Sequence, residues 1–128
     1  MRSRVLYISG RPEDARCLSQ MLHPLPLVLD HVGSLQQARQ QLRSEDYDVV
    51  LTEAVLPDGK WLDVLHLVRE CPGAPEVIVT DRQADTRFWA EALNLGAYDL
   101  LAQPFDAPEV QRILYNACSR VTHSMSAV

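Results

Sequence analysis

A carboxylate at the end of a predicted strand is the first candidate for a functional residue in this sequence. Residues 48–59, DVVLTEAVLPDG, contain the apolar run VVLT, then Glu53, then a turn that includes Pro57, Asp58 and Gly59. Such a run predicts a strand covered on both faces, and α/β domains often mount reactive groups where these strands end. Glu53 is therefore a working group, the remnant of one, or a fixed charge.

Polar side chains also follow the other predicted strands. The residues directly after the first, fourth and fifth strands are Ser9, Gly10, Arg11, Thr80, Asp81, Arg82, Gln103 and Pro104. Because the carboxyl ends of parallel strands meet at one edge of a sheet, these residues and Glu53 define a candidate pocket. The sequence has neither a glycine-rich phosphate loop after the first strand nor a G-x-S-x-G elbow. These patterns therefore support neither nucleotide binding nor serine hydrolysis.

Five short segments have the composition of strands. They are Arg4–Ile8, Leu27–Val32, Tyr47–Thr52, Glu76–Thr80 and Tyr98–Ala102. Three of them contain continuous apolar runs, VLYI, VVL and VIV, and such runs are typical of parallel strands buried on both faces.

Helical patterns alternate with these strands. Apolar residues recur at intervals of three and four, as in Trp61, Val64, Leu65 and Val68. The residues predicted to begin or end helices are Pro12, Ser34, Asp85, Asp106 and Gly96. The alternation predicts five strand–helix pairs in a doubly wound, three-layer α/β domain. We expect residues 1–122 to form this domain, and residues 123–128 to be a flexible tail or the start of a linker.

Composition narrows the class of protein. With 128 residues, 47% of them hydrophobic and 23% charged, the chain has the size and balance of one globular domain. Its net charge of −5 argues against binding to nucleic acid or to an anionic membrane. No apolar run approaches the roughly 18 residues of a membrane span, and we expect a cytoplasmic location. The cysteines and histidines are scattered, so no structural metal is predicted.

The order and spacing of these segments resemble the receiver domains of two-component response regulators. The resemblance extends from about Arg4 to Val121 and is carried by VLYI, DVVLTEAVLPDG, VIVT and GAYDLLAQPF. It implies a flavodoxin-like sheet of strand order 2-1-3-4-5, with two helices on one face and three on the other. It also implies a cis peptide bond between Gln103 and Pro104.

The same resemblance implies a chemistry. In this family an acidic pair after the first strand and an Asp after the third hold Mg²⁺, and that Asp accepts a phosphoryl group. A Thr or Ser after the fourth strand and a Lys before a Pro after the fifth contact the phosphoryl oxygens. In this chain Ser9 and Gly10 stand at the acidic pair, Glu53 at the phosphoacceptor and Gln103 at the Lys.

Only Thr80 and Pro104 keep the family's residue types in the pocket, and Leu100 takes the position of the usual aromatic switch residue. Magnesium requires several oxygen ligands, and phosphoryl transfer requires positive charge around the transferred group. We therefore expect Mg²⁺ binding and phosphorylation to be lost. The predicted function is a non-catalytic, receiver-like signalling module of a two-component phosphorelay, in which Glu53 acts as a fixed charge.

Several alternatives remain open. One alternative is a receiver that still needs Mg²⁺ and uses Asp58 or Asp81 as a substitute phosphoacceptor, although Asp58 is more typical of the turn. Arg11 or Arg82 is expected to pair with Glu53, with exposure of both guanidinium groups as the alternative. Thr80 either donates a hydrogen bond to Glu53 or only ends its strand. A small-ligand pocket of the flavodoxin type is the least supported class.

An apolar arc on the fourth helix predicts an interaction face. The residues assigned to this face are Phe88, Trp89, Leu95, Leu100 and Tyr115. The alternative is that the arc packs against the sheet. The expected occupant is a signalling protein, an output domain or a second copy of the chain, with no direct binding to nucleic acid or membrane.

Overall fold

The computed structural model describes residues 2–83 and 85–126, with the backbone alone from residue 120 onward. Five strands form the main sheet: β1 (Ser3–Ile8), β2 (Leu27–Val32), β3 (Val49–Glu53), β6 (Glu76–Asp81) and β7 (Asp99–Ala102). Two further strands are β4 (Val55–Leu56) and β5 (Gly59–Lys60). The helices are α1 (Pro12–Leu22), α2 (Leu35–Ser44), α3 (Trp61–Arg69), α4 (Thr86–Leu95) and α5 (Ala107–Ser126).

The main sheet has the order β2-β1-β3-β6-β7, and every neighbouring pair in it is parallel. Without the short strands β4 and β5, which lie outside this sheet, β6 and β7 are the fourth and fifth strands along the chain, and the predicted order 2-1-3-4-5 is confirmed. The third strand lies slightly later in the chain than predicted, and Glu53 is its last residue. The fourth strand likewise includes Asp81. Both carboxylates therefore stand at the carboxyl edge of the sheet.

The short antiparallel pair β4–β5 was not predicted. It surrounds the Pro57–Asp58 turn directly after β3. Each of its strands has only two residues, which is too short for a strand period to be visible in the sequence.

Each face of the sheet is covered by its own core. On one face, α1 and α5 pack over β-strand residues such as Val5 and Leu51. On the other, α2, α3 and α4 pack over residues such as Leu6 and Val50. The buried Trp61 contacts Phe88 edge-on with ring centroids 6.3 Å apart, which joins α3 to α4. The predicted division of two helices and three is confirmed.

The local signals for the helix ends are also confirmed. Pro12 is the first residue of α1, and Ser34 and Asp85 each accept a hydrogen bond from a first-turn backbone N–H, at 3.2 and 2.9 Å. Asp106 does the same for α5 at 3.3 Å. Gly96 ends α4 with φ of 122°, a conformation that favours glycine.

In the part of the chain that the structure describes, no helix is both long enough and apolar enough to span a membrane. The predicted tail, residues 123–128, lies outside the residues whose side chains are described. The boundary after residue 122 stays a prediction, as does the cytoplasmic location.

Candidate functional site

The strand register brings three of the predicted residues into one row. Ile8 lies opposite Thr52 and Glu53 lies opposite Thr80, so Ser9, Glu53 and Thr80 are neighbours at the carboxyl edge. Two positions earlier on the same strands, Tyr7, Leu51 and Ile78 belong to the core on the α1–α5 side. Side chains alternate along a strand, and the three therefore share one face of the sheet.

The shortest polar contact in this row joins Ser9 to Glu53. The Ser9 hydroxyl donates to Glu53 Oε1 at 2.5 Å and accepts the backbone N–H of Arg11 at 3.0 Å. A distance near 2.5 Å is typical of a hydroxyl donating to an ionised carboxylate. Ser9 is fully buried and Glu53 half-buried, so this bond satisfies a carboxylate oxygen that water reaches poorly.

A second carboxylate near this edge was not predicted from the sequence. Asp14, in the first turn of α1, accepts from Arg82 at 2.8 Å and from the Gln103 amide at 3.2 Å through the same oxygen. The Asp14 side chain is 15% exposed, whereas that of Arg82 is 47% exposed. Asp14 therefore links α1 to the segments that follow β6 and β7.

The prediction that an arginine pairs with Glu53 is wrong. Arg82 pairs with Asp14 instead, and no Lys, Arg or His side chain among the described residues lies within 4.0 Å of the Glu53 carboxylate. The exposed Arg11 guanidinium has no partner in the described part of the chain. Asp14 and Arg82 are brought together by the packing of α1 beside the β6–α4 loop, which spacing in the sequence does not reveal.

Two hydroxyl groups at this edge are buried, that of Thr80 in the row and that of Tyr7 below it. Neither Tyr7 nor Thr80 has a hydrogen-bond partner of good geometry among the described residues, and both side chains are fully buried. Burial raises the pKa of the Tyr7 phenol; the nearby hydroxyls of Ser9 and Thr80 lower that pKa less, and the Glu53 and Asp14 carboxylates raise it further. Tyr7 is therefore a neutral phenol. Of the two alternatives for Thr80, the hydrogen bond to Glu53 is absent.

An open cavity of about 500 Å³ lies over this edge. Its lining residues are Gly10, Arg11, Glu53, Ala54, Val55, Pro57, Thr80, Asp81, Arg82, Gln83 and Gln103. Seven of the predicted pocket residues are thus brought together. Ser9 lies below the floor, bonded to Glu53, and the exposed Pro104 is outside the lining. The peptide bond between Gln103 and Pro104 is cis, as predicted.

Residues 5–115 match the family model of the response regulator receiver domain. The chain belongs to this family. It is 28% identical over 118 residues to the response regulator protein PilR of Pseudomonas aeruginosa, covering 91% of this chain and 26% of PilR. It is 33% identical over 107 residues to a probable transcriptional regulatory protein, TcrX, of Mycobacterium tuberculosis, covering 83% of this chain and 45% of TcrX. The chain therefore spans less than half of either relative.

Solved structures agree with this assignment. The signal receiver domain of a LuxO repressor protein from Vibrio parahaemolyticus superposes with a TM-score of 0.91 at 21% identity, covering 99% of this chain and 98% of that one. At this identity the likeness shows the fold. The receiver domain fold and its place in two-component signalling are thus established for this chain.

Asp58 lies away from the cavity of this receiver domain. Its two carboxylate oxygens accept the backbone N–H groups of Leu35 and Gln36 at 2.7 and 3.1 Å. The bond from Leu35 is the main cause that lowers the pKa of Asp58. The carboxylate thus caps the start of α2 from the β4–β5 turn, a structural role that the sequence had indicated only as turn chemistry.

The predicted interaction face needs one correction. Leu100 is 1% exposed and belongs to the core beneath α2, α3 and α4, so it is not on the surface. Phe88 and Trp89 are half-buried and pack against the same core. Leu95 and Tyr115 remain exposed, at 41% and 57%. Leu100 is on a β-strand of four residues, where alternation alone does not tell which face is covered.

Two residues near this site escaped the sequence-based prediction. Asp14 does not follow a strand; the available signal was an acidic residue two positions after Pro12, in the first turn of a helix at that edge. Tyr7 lies within the apolar run VLYI, which predicts a buried strand residue and no functional role. A phenol directly below Ser9 on the same strand face was the available signal.

Proposed function

We propose that this receiver domain is phosphorylation-independent and signals by binding a protein partner or a second copy of itself. The observation that carries the proposal is the hydrogen bond to Glu53. Its Oε1 is held by the Ser9 hydroxyl at 2.5 Å, at the strand end where the family resemblance expects an Asp beside an acidic pair. Glu53 is then a permanent charge rather than a phosphoacceptor.

The donor set fits Mg²⁺ poorly. Magnesium needs near-octahedral oxygen ligands with one or more carboxylates. Ser9 already donates its hydroxyl to Glu53, and Gly10 contributes no side chain. The nearby Asp14 oxygen is occupied by Arg82 and Gln103. These contacts support the loss of the metal.

The charge needed for phosphoryl transfer is also reduced. Gln103 stands at the position of the family's Lys and donates its neutral amide to Asp14 at 3.2 Å. The loss of one such stabilising donor costs roughly 3 kcal/mol of transition-state stabilisation. Loss of both the metal and the Lys is therefore expected to slow transfer by many powers of ten.

The alternative function is a working receiver with a substitute acceptor. Asp81 lines the cavity and uses one oxygen to accept the Gln83 N–H at 3.3 Å, which leaves it the better of the two candidates. Asp58 is engaged at the start of α2 and does not line the cavity.

The test is phosphorylation by a small-molecule phosphodonor with Mg²⁺, read as intact mass. We expect no phosphoryl adduct on the natural sequence. The matched positive control is a variant that carries Ser9→Asp, Gly10→Asp, Glu53→Asp and Gln103→Lys, and we expect it to be labelled. A Cβ at Gly10 would lie 3.2 Å from the Pro57 ring, so the restored acid needs only a small shift of a side chain.

A second control separates the acceptor from its supporting charges. Glu53→Asp alone restores the acceptor without the acidic pair or the Lys, and we expect it to remain unlabelled. An adduct on the natural chain would contradict the proposal, and peptide mapping would then show whether Asp81 or Asp58 carries it.

The partner surface is proposed on the exposed part of the predicted interaction face. Leu95 and Tyr115 support it, because both are large apolar or aromatic side chains open to solvent. PilR and TcrX are longer regulators, and an output domain attached to this chain or reached as a partner belongs to the same proposal.

A further inference from the structure

We propose that the cavity over Glu53 receives a basic side chain, in particular an arginine, from the partner protein. The inference rests on the proposed function, because it requires a cavity that holds neither Mg²⁺ nor a phosphoryl group. The guanidinium group would supply the ion pair that neither Arg11 nor Arg82, which line the same cavity, makes with Glu53.

The charge of Glu53 is not balanced by an ion pair within the described residues. This half-buried carboxylate has a hydroxyl partner on Oε1 but no ion-pair partner among the described residues, and Oε2 has no hydrogen-bond donor there. Two arginines line the same cavity: Arg82 pairs with Asp14, and the exposed Arg11 guanidinium makes no ion pair with Glu53 among the described residues. A carboxylate partly removed from water and lacking a counter-ion favours the approach of a cation.

The same cavity contains further hydrogen-bond acceptors besides Glu53. Asp81 lines it and has one oxygen bonded to a backbone N–H. Thr80 also lines it, and its fully buried hydroxyl has no partner of good geometry among the described residues. A guanidinium group presents five N–H donors in a planar fork and can bond to several acceptors at once. This arrangement favours arginine over lysine.

Part of the cavity wall is apolar. Val55 is 70% exposed, and Pro57 stands with it on the lining. Apolar groups beside a charged floor suit the alkyl stem of a long basic side chain, which packs its methylenes while its head pairs. The net charge of −5 would also attract a basic segment over longer range.

The test uses two blocked tripeptides and the intact domain. Acetyl-Gly-Arg-Gly-amide carries the guanidinium group, and acetyl-Gly-citrulline-Gly-amide has the same shape without the charge. Binding is followed by amide chemical shifts in the isotope-labelled protein. We expect the arginine peptide to shift the Ala54, Val55 and Gln83 amides with a dissociation constant of order millimolar, and the citrulline peptide to bind at least about fivefold more weakly.

Variants test whether Glu53 is the carboxylate that binds the arginine peptide. Glu53→Gln is expected to weaken binding of the arginine peptide about fivefold or more, and high salt should weaken it in the natural chain. Glu91→Gln, an exposed change on α4 with the same loss of charge, should leave binding unaltered. The comparison of the two peptides needs no variant, so it stands even if Glu53→Gln fails to fold.

Equal binding of both peptides, or shifts confined to residues outside the cavity, would overturn the inference. So would unchanged binding by a folded Glu53→Gln protein. The outcome is separable from that of the proposed function. A phosphoryl adduct refutes the proposed function, whereas absence of both adduct and peptide binding refutes only the arginine pocket.

Discussion

At the scale of single residues, carboxylates in this domain serve different ends according to what surrounds them. Glu53 is held by a hydroxyl at the edge of the sheet, whereas Asp58 accepts two backbone N–H groups at the start of α2. The N-terminus of a helix favours a negative charge because its first N–H groups have no partner within the helix. Asp58 is therefore a capping residue.

This role predicts an acid-dependent contribution to stability. The folded pKa of Asp58 lies below its usual value of 3.8, so its contribution is present above that pH and is lost as the pH falls through the folded pKa. We expect Asp58→Asn to lower the denaturant midpoint at neutral pH and to differ less from the natural protein below about pH 3. Urea unfolding at the two pH values measures this.

The matched control for that measurement is Asp46→Asn, at an exposed aspartate. It should leave the midpoint nearly unchanged at both pH values. If the denaturant midpoints of Asp58→Asn and the natural protein differ as much in acid as at neutral pH, the effect is due to the shape of the side chain and not to its charge.

At the scale of elements, three segments that are distant in the chain meet at Asp14. The bond to Arg82 spans 68 residues and the bond to Gln103 spans 89. Through them α1 holds the loop before α4 and the segment before α5, beside the cavity. The packing of α1 against α5 on one face of the sheet sets the position from which Asp14 reaches both.

We expect Asp14 and Arg82 to be coupled in stability. Because Arg82 is 47% exposed, solvent screens the pair, and a double-mutant cycle with Asp14→Asn and Arg82→Gln should give roughly 0.5–1 kcal/mol. The measurement is the free energy of unfolding of the four proteins in urea. A cycle that replaces Asp14→Asn by Glu13→Gln, at the exposed neighbour, should give no coupling. Zero coupling for Asp14 would mean that the pair does not restrain the loop.

At the scale of the whole molecule, the receiver architecture is kept, whereas the loss of its usual chemistry is the proposal made from Ser9, Gly10, Glu53 and Gln103. Both cores are complete, with large side chains such as Tyr7, Leu18 and Leu114 fully buried. These residues stabilise the fold without contributing to phosphoryl transfer, since burial of apolar surface is independent of the charges at one edge. A fold of this kind can persist as a binding module.

The corresponding prediction concerns the assembly state. If the domain does not accept a phosphoryl group, its sedimentation profile over a concentration series should be the same with and without phosphodonor and Mg²⁺. The variant with four restored residues serves as the control that is able to respond. A phosphodonor-dependent change in the natural chain would contradict this prediction and support the alternative receiver function.

The sequence by itself determined the order of the elements, the parallel sheet and the ends of several helices. These features depend on local patterns: continuous apolar runs for buried strands, a period of three to four for helices, and caps such as Ser34 and Asp85. It also identified most of the cavity, because strand ends must meet at one edge in this topology.

Only the tertiary structure decided which charged groups pair and which apolar groups are covered. Arg82 was free in the sequence to reach Glu53, yet it pairs with Asp14 on α1. Leu100 appeared available for a surface, yet both sides of its strand are packed. Such outcomes depend on distances of a few ångströms between segments far apart in the chain. Local composition and period carry no information on those distances, because they arise only when the helices pack onto the sheet.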